Sequence, residues 1–244
     1  MQYSSKSDIG KVRTINQDSL AVYLKNNGMI LALVADGIGG GPAGEIASDI
    51  AAKEMCRLFA QAEFTEETDL YAWLRNAMEE SNRAILADVR TNLHHYGMGT
   101  TLVGALITNR KTYVFNIGDS RLYFLKEGKL ECATHDHTVL ADMLESGMIT
   151  PSEAEKTVFR NYLSSALGNR EMGRMDVEAF DSDYQAILIC SDGLYAYVEE
   201  EEILKTLLQD SDIDEKTDAL IALANNAGGF DNVSVILLEK EDKA

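Results

Sequence analysis

Residues 29–62, MILALVADGIGGGPAGEIASDIAAKEMCRLFAQA, decide the fold. The first eight are almost entirely apolar and end in Asp36, a pattern typical of a buried strand that delivers a carboxylate at its end. The glycines that follow let the backbone turn and approach a ligand closely. From Ala43 onward, apolar residues recur at helical spacing, with Glu45 near the start. This stretch therefore predicts a core strand, a glycine turn and an amphipathic helix.

The remaining chain alternates between groups of strands and pairs of helices. Strands are predicted at 19–24, 100–108, 111–119, 121–126, 130–134, 175–181, 185–192 and 232–239, and helices near 69–92, 199–209 and 214–227. Residues 136–173 read as an irregular subregion with short helical pieces, one of them capped at Thr150. Tight turns between neighbouring strands indicate antiparallel pairing. Two packed sheets covered by helices are the simplest layered solution.

Composition narrows the possible functions. The chain has 244 residues and a net charge of −18, which argues against nucleic acid and anionic membranes as partners. Only two prolines occur and no linker-like stretch is present, so a single domain over 1–244 is predicted. The three scattered cysteines fit a reducing cytosol. With no signal peptide or membrane span in the sequence, a cytoplasmic location is expected.

Five short acidic segments place a carboxylate beside glycine or asparagine. They are RTINQD (13–18), VADGIGG (34–40), GDSR (118–121), SDG (191–193) and GGFDN (228–232). Apolar runs lead into three of them, so Asp36, Asp119 and Asp192 are expected at or just past strand ends. Several carboxylates delivered this way favour hard divalent cations such as Mg²⁺ or Mn²⁺.

Each segment taken alone also fits an ordinary loop. VADGIGG can be a plain strand-to-helix connection, SDG a common turn and GGFDN the approach to a strand. Arg13 can grip phosphate oxygens through its planar donor fork, or it can form a surface salt bridge within RTINQD. Cys190 beside Asp192 raises the alternative of a thiol phosphatase, but Ala196 stands where that mechanism needs arginine. Only the set of segments favours a metal site.

Taken in chain order, RTINQD, VADGIGG with AGEIAS, MGTT, NIGDSR, THDHT, SDGL and GGFDNVSVI resemble the motifs of the protein phosphatase 2C-like metal-dependent Ser/Thr phosphatases, bacterial branch. The resemblance extends over residues 5–238. It implies an α+β fold, a four-layer α/β/β/α sandwich with two antiparallel sheets face to face and helix pairs outside. It also implies hydrolysis of phosphoserine and phosphothreonine by a metal-activated water. The implied cofactors are two Mn²⁺ or Mg²⁺ ions, with a third in bacterial members.

The resemblance also implies a role for each residue of the motifs. Asp36 would bridge both metals, and the carbonyl of Gly37 would ligate one of them. Asp192 and Asp231 would hold the other metal, and Asp119 with Asp192 would hold the third. Among the catalytic residues, Asp18 would act through an intervening water, Arg13 would bind the phosphoryl group and Asn232 would orient the carboxylates.

Three departures from the family pattern concern the surroundings of this site. Ile38 stands where some members carry a histidine that protonates the leaving group. Gly41 replaces a histidine common in bacterial members. Thr157 and Val158 replace a His-Pro pair in the flap, the subregion of about 136–173, so substrate choice does not follow from the resemblance.

Phosphorylated proteins are the expected partners, together with a cognate Ser/Thr protein kinase, and the chain is expected to be a monomer. A pseudo-phosphatase that binds and regulates partners is the competing hypothesis. Loss of a metal-ligating aspartate would favour it, and the sequence retains them all. A phosphatase devoted to a regulator of sigma factors is a narrower alternative.

Overall fold

The computed structural model describes residues 1–38, 43–154 and 162–240. Its strands are β1 (Gln2–Asp8), β2 (Asp18–Leu24), β3 (Ile30–Asp36), β4 (Leu102–Ile107), β5 (Lys111–Ile117), β6 (Arg121–Lys126), β7 (Lys129–Cys132), β8 (Asp176–Asp181), β9 (Ala186–Cys190) and β10 (Val233–Glu239). They form two five-stranded sheets, β1-β10-β9-β6-β7 and β2-β3-β4-β5-β8. Every strand pair is antiparallel.

The helices are α1 (Gly44–Gln61), α2 (Leu70–Thr91), α3 (Val139–Glu145), α4 (Pro151–Ala154), α5 (Asp192–Tyr195), α6 (Glu200–Leu207) and α7 (Ile213–Asn226). A short 3₁₀ helix at Leu93–His95 follows α2. Asp69 caps the start of α2, where its carboxylate accepts from Ala72 N at 3.1 Å. The cap predicted at Thr150 is confirmed, since Thr150 N donates to the Glu153 carboxylate at 2.8 Å.

Side chains alternate along β3 between two apolar layers. Leu31 and Leu33 pack with α1 and α2, whereas Ala32 and Val34 pack against the other sheet. Both faces of the strand are therefore covered, which explains its uninterrupted apolar sequence. The other sheet, β1-β10-β9-β6-β7, packs its outer face on α5, α6 and α7. The predicted α/β/β/α sandwich is confirmed.

The sequence interpretation missed β1. Its residues, QYSSKSD, are polar and carry no apolar alternation. The strand is nevertheless paired along its whole length with β10. Ser4 is buried, and its hydroxyl makes a 2.9 Å hydrogen bond with Thr217 of α7. Satisfied polar groups, rather than apolar burial, hold this edge strand in place.

No helix among the described residues is long and apolar enough to span a bilayer.

Candidate active site

The five predicted metal-binding and catalytic aspartates converge at one end of the sandwich. Asp18 begins β2 and stands opposite Asp36, the last residue of β3, in the antiparallel ladder. Asp119 follows β5, Asp192 begins α5 directly after β9, and Asp231 precedes β10. The charges of the other four all act on the carboxyl group of Asp36. Residues from distant parts of the chain thus form one cluster.

Asp36 and Gly37 are held by backbone contacts. The hydroxyl of Thr101 accepts from Asp36 N at 3.0 Å, and Gly37 N donates to Gln17 O at 3.0 Å. A Cβ at position 37 would lie 2.4 Å from the backbone carbonyl of Gly44. Only glycine fits between the start of α1 and the Gln17 segment. The glycine of this motif is therefore required by close packing.

Ser191 joins Asp18 of β2 to the sheet that contains β9 and β10. Its hydroxyl donates to Asp18 Oδ2 at 2.8 Å and accepts from Ser234 N at 3.0 Å. The other carboxylate oxygen of Asp18, Oδ1, is shielded from solvent and has no hydrogen-bond partner among the residues described. A buried oxygen of this kind needs a donor or a cation.

Gly193 allows the SDG turn to meet the segment before β10. A Cβ there would lie 1.9 Å from Asn232 O, which is impossible without movement of the backbone. Asn232 itself accepts from Gln17 N at 2.8 Å and donates to Ile9 O at 2.9 Å and Ile15 O at 3.0 Å. Its side chain therefore clamps the segment that carries Arg13.

The hydrogen bonds of Asn232 bear on the role expected of it, which is to orient the carboxylates. Its side chain contacts backbone atoms and no site carboxylate, whereas its backbone N–H donates to Asp231 Oδ1 at 2.9 Å. Asn232 thus positions Asp231 through the main chain and the Arg13 loop through the side chain.

Arg13 makes an ion pair with Asp231, with Nη2 and Oδ2 2.7 Å apart. The salt bridge within RTINQD, which the sequence left open, is not formed. The pair joins the two ends of the chain across the site, and 38% of the Arg13 side chain stays exposed. A basic group at the rim of the carboxylate cluster can therefore face an incoming anion.

Asp119 lies in a firmly held turn. Tyr195 donates its hydroxyl to Asp119 O at 2.8 Å, and His137 accepts from Gly118 N at 3.2 Å. Arg121 of the same motif is committed elsewhere, since two of its nitrogens donate to the Asp136 carboxylate at 2.9 and 2.7 Å. Asp119 has no ion pair within the described part of the chain, so its carboxylate is available.

Partial burial and mutual repulsion govern the charge state of the cluster. Burial, together with the neighbouring carboxylates, raises the pKa of Asp18 and of Asp192 to about 6, and that of Asp119 to about 7. Burial first, and then the charge of Asp18, raises the pKa of Asp36 well above its ordinary value. The basic side chains nearby are thus too few to offset the burial and the mutual repulsion of these carboxylates.

This arrangement fits a divalent cation. All donors are oxygens, which suits Mg²⁺ and Mn²⁺, and a cation would relieve both the repulsion and the unpartnered Asp18 oxygen. The carboxylates do not form a complete cation site as they stand. In the described residues no group of three His, Cys, Asp or Glu side chains is arranged to hold an ion. One of the carboxylates, Asp231, is engaged by Arg13 instead.

Several supporting residues were missed or left open at the sequence level. Ser191 lies inside SDG, and Thr101 inside MGTT, but hydroxyl groups beside glycine carry no distinctive pattern. His137, the second histidine of THDHT, is fully buried and bonds to the Asp176 carboxylate at 3.1 Å. Cys190 is buried, and burial raises the pKa of its thiol, which disfavours the thiolate nucleophile of a thiol phosphatase.

Of the residues that depart from the family pattern, the structure describes Ile38. Ile38 donates its backbone N–H to Gly99 O at 2.9 Å, and its side chain lies against Gly99. It offers no proton to a leaving group. Gly41, Thr157 and Val158 lie outside the described residues.

Comparison with known proteins gives a consistent result. Residues 10–226 match the family model of protein phosphatase 2C. The serine/threonine phosphatase stp of Listeria monocytogenes is 33% identical over 246 residues, which cover 99% of this chain and 96% of that protein. The crystal structure of a bacterial serine phosphatase has a TM-score of 0.91 and 31% identity, and all of each chain is covered. The catalytic domain of the phosphatase PstP, solved with two manganese ions, has a TM-score of 0.81 and 34% identity, covering 98% of this chain and 97% of that one.

Proposed function

Since the chain belongs to the protein phosphatase 2C family of protein Ser/Thr phosphatases, we propose that it hydrolyses phosphoserine and phosphothreonine in proteins with a metal-activated water. The observation that carries this proposal is the convergence of the five aspartates beside Arg13 at one end of the sandwich. Mn²⁺ or Mg²⁺ is the proposed cofactor, because every donor of the cluster is a carboxylate or carbonyl oxygen.

We assign the ligands as the motifs suggest. Asp36 would be a ligand of two cations, with the Gly37 carbonyl a ligand of one of them and Asp192 and Asp231 ligands of the other. Bound cations would supply Lewis acidity that lowers the pKa of a water molecule and makes it a nucleophile at neutral pH. For Asp231 to take this role, its Oδ2 must exchange Arg13 for a cation, which leaves the guanidinium free.

Arg13 then binds the phosphoryl group of the substrate. Its planar donor fork matches two phosphate oxygens, and a charged donor aimed at the equatorial oxygens stabilises the transition state. The clamp by Asn232 keeps the Arg13 segment beside the carboxylates. Asp18 would act through an intervening water, and the hydrogen bond from Ser191 fixes the orientation of its carboxylate.

Asp119, together with Asp192, is the proposed ligand set for a third cation. Tyr195 and His137 bond to backbone atoms of the turn that carries Asp119, so the main chain that positions its carboxylate is held in place. With Ile38 unable to donate a proton, protonation of the leaving serine or threonine oxygen falls to solvent on the Asp119 side of the site.

The proposal extends to the biological setting. Phosphorylated proteins are the substrates, a cognate Ser/Thr protein kinase is their source, and the enzyme acts as a cytoplasmic monomer. The aspartate cluster and Arg13 suffice to bind and hydrolyse a phosphoryl group on serine or threonine. The net charge of −18 disfavours nucleic acid as a substrate.

The deciding experiment measures phosphate release from a phosphothreonine peptide and a matched phosphotyrosine peptide, with Mn²⁺, with Mg²⁺ and with excess chelator. We expect metal-dependent release that favours phosphothreonine. Full activity in chelator would overturn the metal-dependent mechanism. Metal binding without turnover on any phosphopeptide would support the competing pseudo-phosphatase.

A further inference from the structure

An open groove of about 730 Å³ lies between the C-terminal end of α2, the loop before β4 and the segment that follows Leu167. Leu86 and Val89 of α2 form its apolar floor. Arg90, Tyr96, Asn169 and Arg170 provide its polar lining. Nothing in the proposed phosphoryl-transfer chemistry uses these side chains.

Arg90 and Arg170 differ from the other arginines that the structure describes. Six of those others, at positions 13, 57, 83, 110, 121 and 174, form ion pairs, and Arg75 donates to Met175 O. Neither Arg90 nor Arg170 has a side-chain hydrogen bond or ion pair within the described ranges, and both line this groove. Two unpaired cations that line one groove, on a chain of net charge −18, indicate an anionic ligand.

Both walls of the groove are held in place by buried polar contacts. Asn82, 4% exposed, accepts from Gly168 N at 2.6 Å and donates to Asn169 O at 3.0 Å, which fixes the segment carrying Arg170 against α2. On the other wall, His95 binds the Asp88 carboxylate and an Asn92 nitrogen. Asp88 is therefore engaged by His95 and forms no ion pair with Arg90 among the described residues.

The groove adjoins the proposed catalytic centre. Gly37 is bridged to Thr100, and Thr100 to Leu167, the residue before Gly168. Adjacent strands lie about 4.8 Å apart, so the rim of the groove is roughly 10 Å from Gly37. An extended peptide advances about 3.3 Å per residue, so roughly three to five residues connect a phosphorylated residue at the site to the groove.

We infer that this groove binds an acidic segment of the phosphoprotein substrate, with Asp or Glu side chains three to five residues from the phosphorylated residue pairing with Arg90 and Arg170. The volume suits a peptide segment rather than a lone small anion. Tyr96, 76% exposed, and the side chain of Asn169 supply further surface for a peptide backbone. This inference rests on the proposed phosphatase function and assigns its substrate preference.

The test compares phosphothreonine peptides that differ only in Glu against Gln at the third to fifth positions, on the N-terminal side in one pair and on the C-terminal side in another. Wild-type protein is expected to favour one Glu peptide through a lower KM. The double variant Arg90→Gln with Arg170→Gln should lose about fivefold in kcat/KM for that peptide, since exposed charge pairs are individually weak. Its activity on the Gln peptides and on p-nitrophenyl phosphate should stay unchanged.

Arg83→Gln is the control for the single variant Arg90→Gln, because each removes one positive charge from α2, whereas Arg83 lies outside the groove and is paired with Glu79 and Glu80. If Arg83→Gln lowers kcat/KM for the Glu peptide as much as Arg90→Gln does, the effect comes from the overall charge of the protein, and the inference is overturned. Equal use of Glu and Gln peptides by wild-type protein would overturn it as well. A dimer that dissociates in the double variant would show that a second copy of the chain occupies the groove instead.

Failure of the inference is distinguishable from failure of the proposed function. Fluorescence anisotropy with a labelled Glu peptide that carries no phosphate measures the groove without catalysis. Binding that disappears in the double variant supports the groove even if no phosphopeptide is hydrolysed. Hydrolysis of all phosphopeptides, with no such binding, overturns the groove and leaves the phosphatase function intact.

Discussion

The carboxyl group of Asp36 lies in surroundings that disfavour its charge, yet the backbone holds it in a fixed place. It ends a fully apolar strand, where burial and the charge of Asp18 raise the pKa of its carboxyl group. The backbone around it is nevertheless fixed, by Thr101 on one side and Gln17 on the other. A carboxylate that is costly for the fold and rigidly placed is typical of a residue kept for ligand binding.

Asp36→Asn should lower metal-dependent turnover by at least about 100-fold, because the bridging ligand is lost. The metal-free variant should unfold at the same temperature as wild type or higher, since repulsion with Asp18 is removed. Thermal unfolding in chelator and steady-state kinetics in Mn²⁺ measure the two effects. Asp49→Asn, on the exposed side of α1, is the control and should change neither. Unchanged turnover for Asp36→Asn would contradict the assignment.

Arg13→Ala should weaken phosphopeptide hydrolysis by about 2–4 kcal/mol of transition-state stabilisation, the range of a lost charged clamp. The fold should persist, because the Arg13–Asp231 pair is partly exposed and such pairs add little stability. Kinetics with circular dichroism on the same samples separate the effects. Arg13→Lys should recover part of the activity. If all three proteins share the same kcat/KM, Arg13 is only a surface ion pair.

At the scale of secondary structure, the site is built from the ends of elements pressed against each other. The turn after β5, the start of α5 and the segment before β10 each deliver one carboxylate. Glycines permit the approach, and the tightest contact lies between Gly193 of α5 and Asn232 O. The turn after β5 is tied in turn to the flap base, where buried His137 joins Gly118 to Asp176.

Gly193→Ala should disrupt this junction. The added Cβ would meet Asn232 O at 1.9 Å and force α5 away from β10, with a destabilisation of about 1–3 kcal/mol and a loss of activity. Urea unfolding measures the first and phosphopeptide kinetics the second. Gly28→Ala is a useful comparison, since its φ is +83° but open space surrounds it, so only local backbone strain is added and activity should survive. Wild-type stability in Gly193→Ala would mean that the junction is loose.

Asp119→Ala tests the element that follows β5. The first two cations and the fold should remain, because Asp119 is assigned only to the third cation. Turnover should fall more on phosphothreonine peptides than on p-nitrophenyl phosphate, whose leaving group needs no proton. Isothermal titration with Mn²⁺, in parallel with both assays, distinguishes loss of a cation from loss of the fold. Equal losses on both substrates would argue against a role in leaving-group protonation.

For the whole molecule, the cluster links stability to pH and to metal. The folded-state pKa of Asp18 and Asp192 is about 6, and that of Asp119 about 7, above the ordinary aspartate value of 3.8. The folded protein therefore holds more protons than the unfolded chain between about pH 4 and 7. Stability from these groups is complete below pH 4 and is lost as the pH rises through 6 and 7.

In chelator, this contribution should therefore lower the unfolding temperature as the pH rises from 5 to 8. Added Mn²⁺ should raise that temperature, and by more at pH 8 than at pH 5, because a cation binds the deprotonated carboxylates. Differential scanning calorimetry measures both trends, and Asp36→Asn should show a smaller pH dependence. A larger Mn²⁺ effect at pH 5 than at pH 8 would contradict the linkage.

The sequence by itself determined most of the strands and helices and indicated the chemistry that we propose for the site. Apolar runs and helical spacing predicted the sandwich correctly, because strands covered on both faces and amphipathic helices leave local patterns. The acidic segments likewise predicted which carboxylates would meet. Short-range patterns suffice where each residue's environment follows from its own neighbours along the chain.

Only the tertiary structure decided the contacts that join distant segments. Polar β1 became a strand because β10 and α7 satisfy its hydrogen bonds, and nothing within QYSSKSD signals that partner. Arg13 pairs with Asp231 rather than within its own motif. The side chain of Asn232, near the C-terminus, donates a hydrogen bond to Ile9 O near the N-terminus. Arg90 and Arg170 share a groove although 80 positions separate them. The physical reason is common to all: these partners are set by the packing of the two sheets, and pairwise polar contacts leave no period in the sequence.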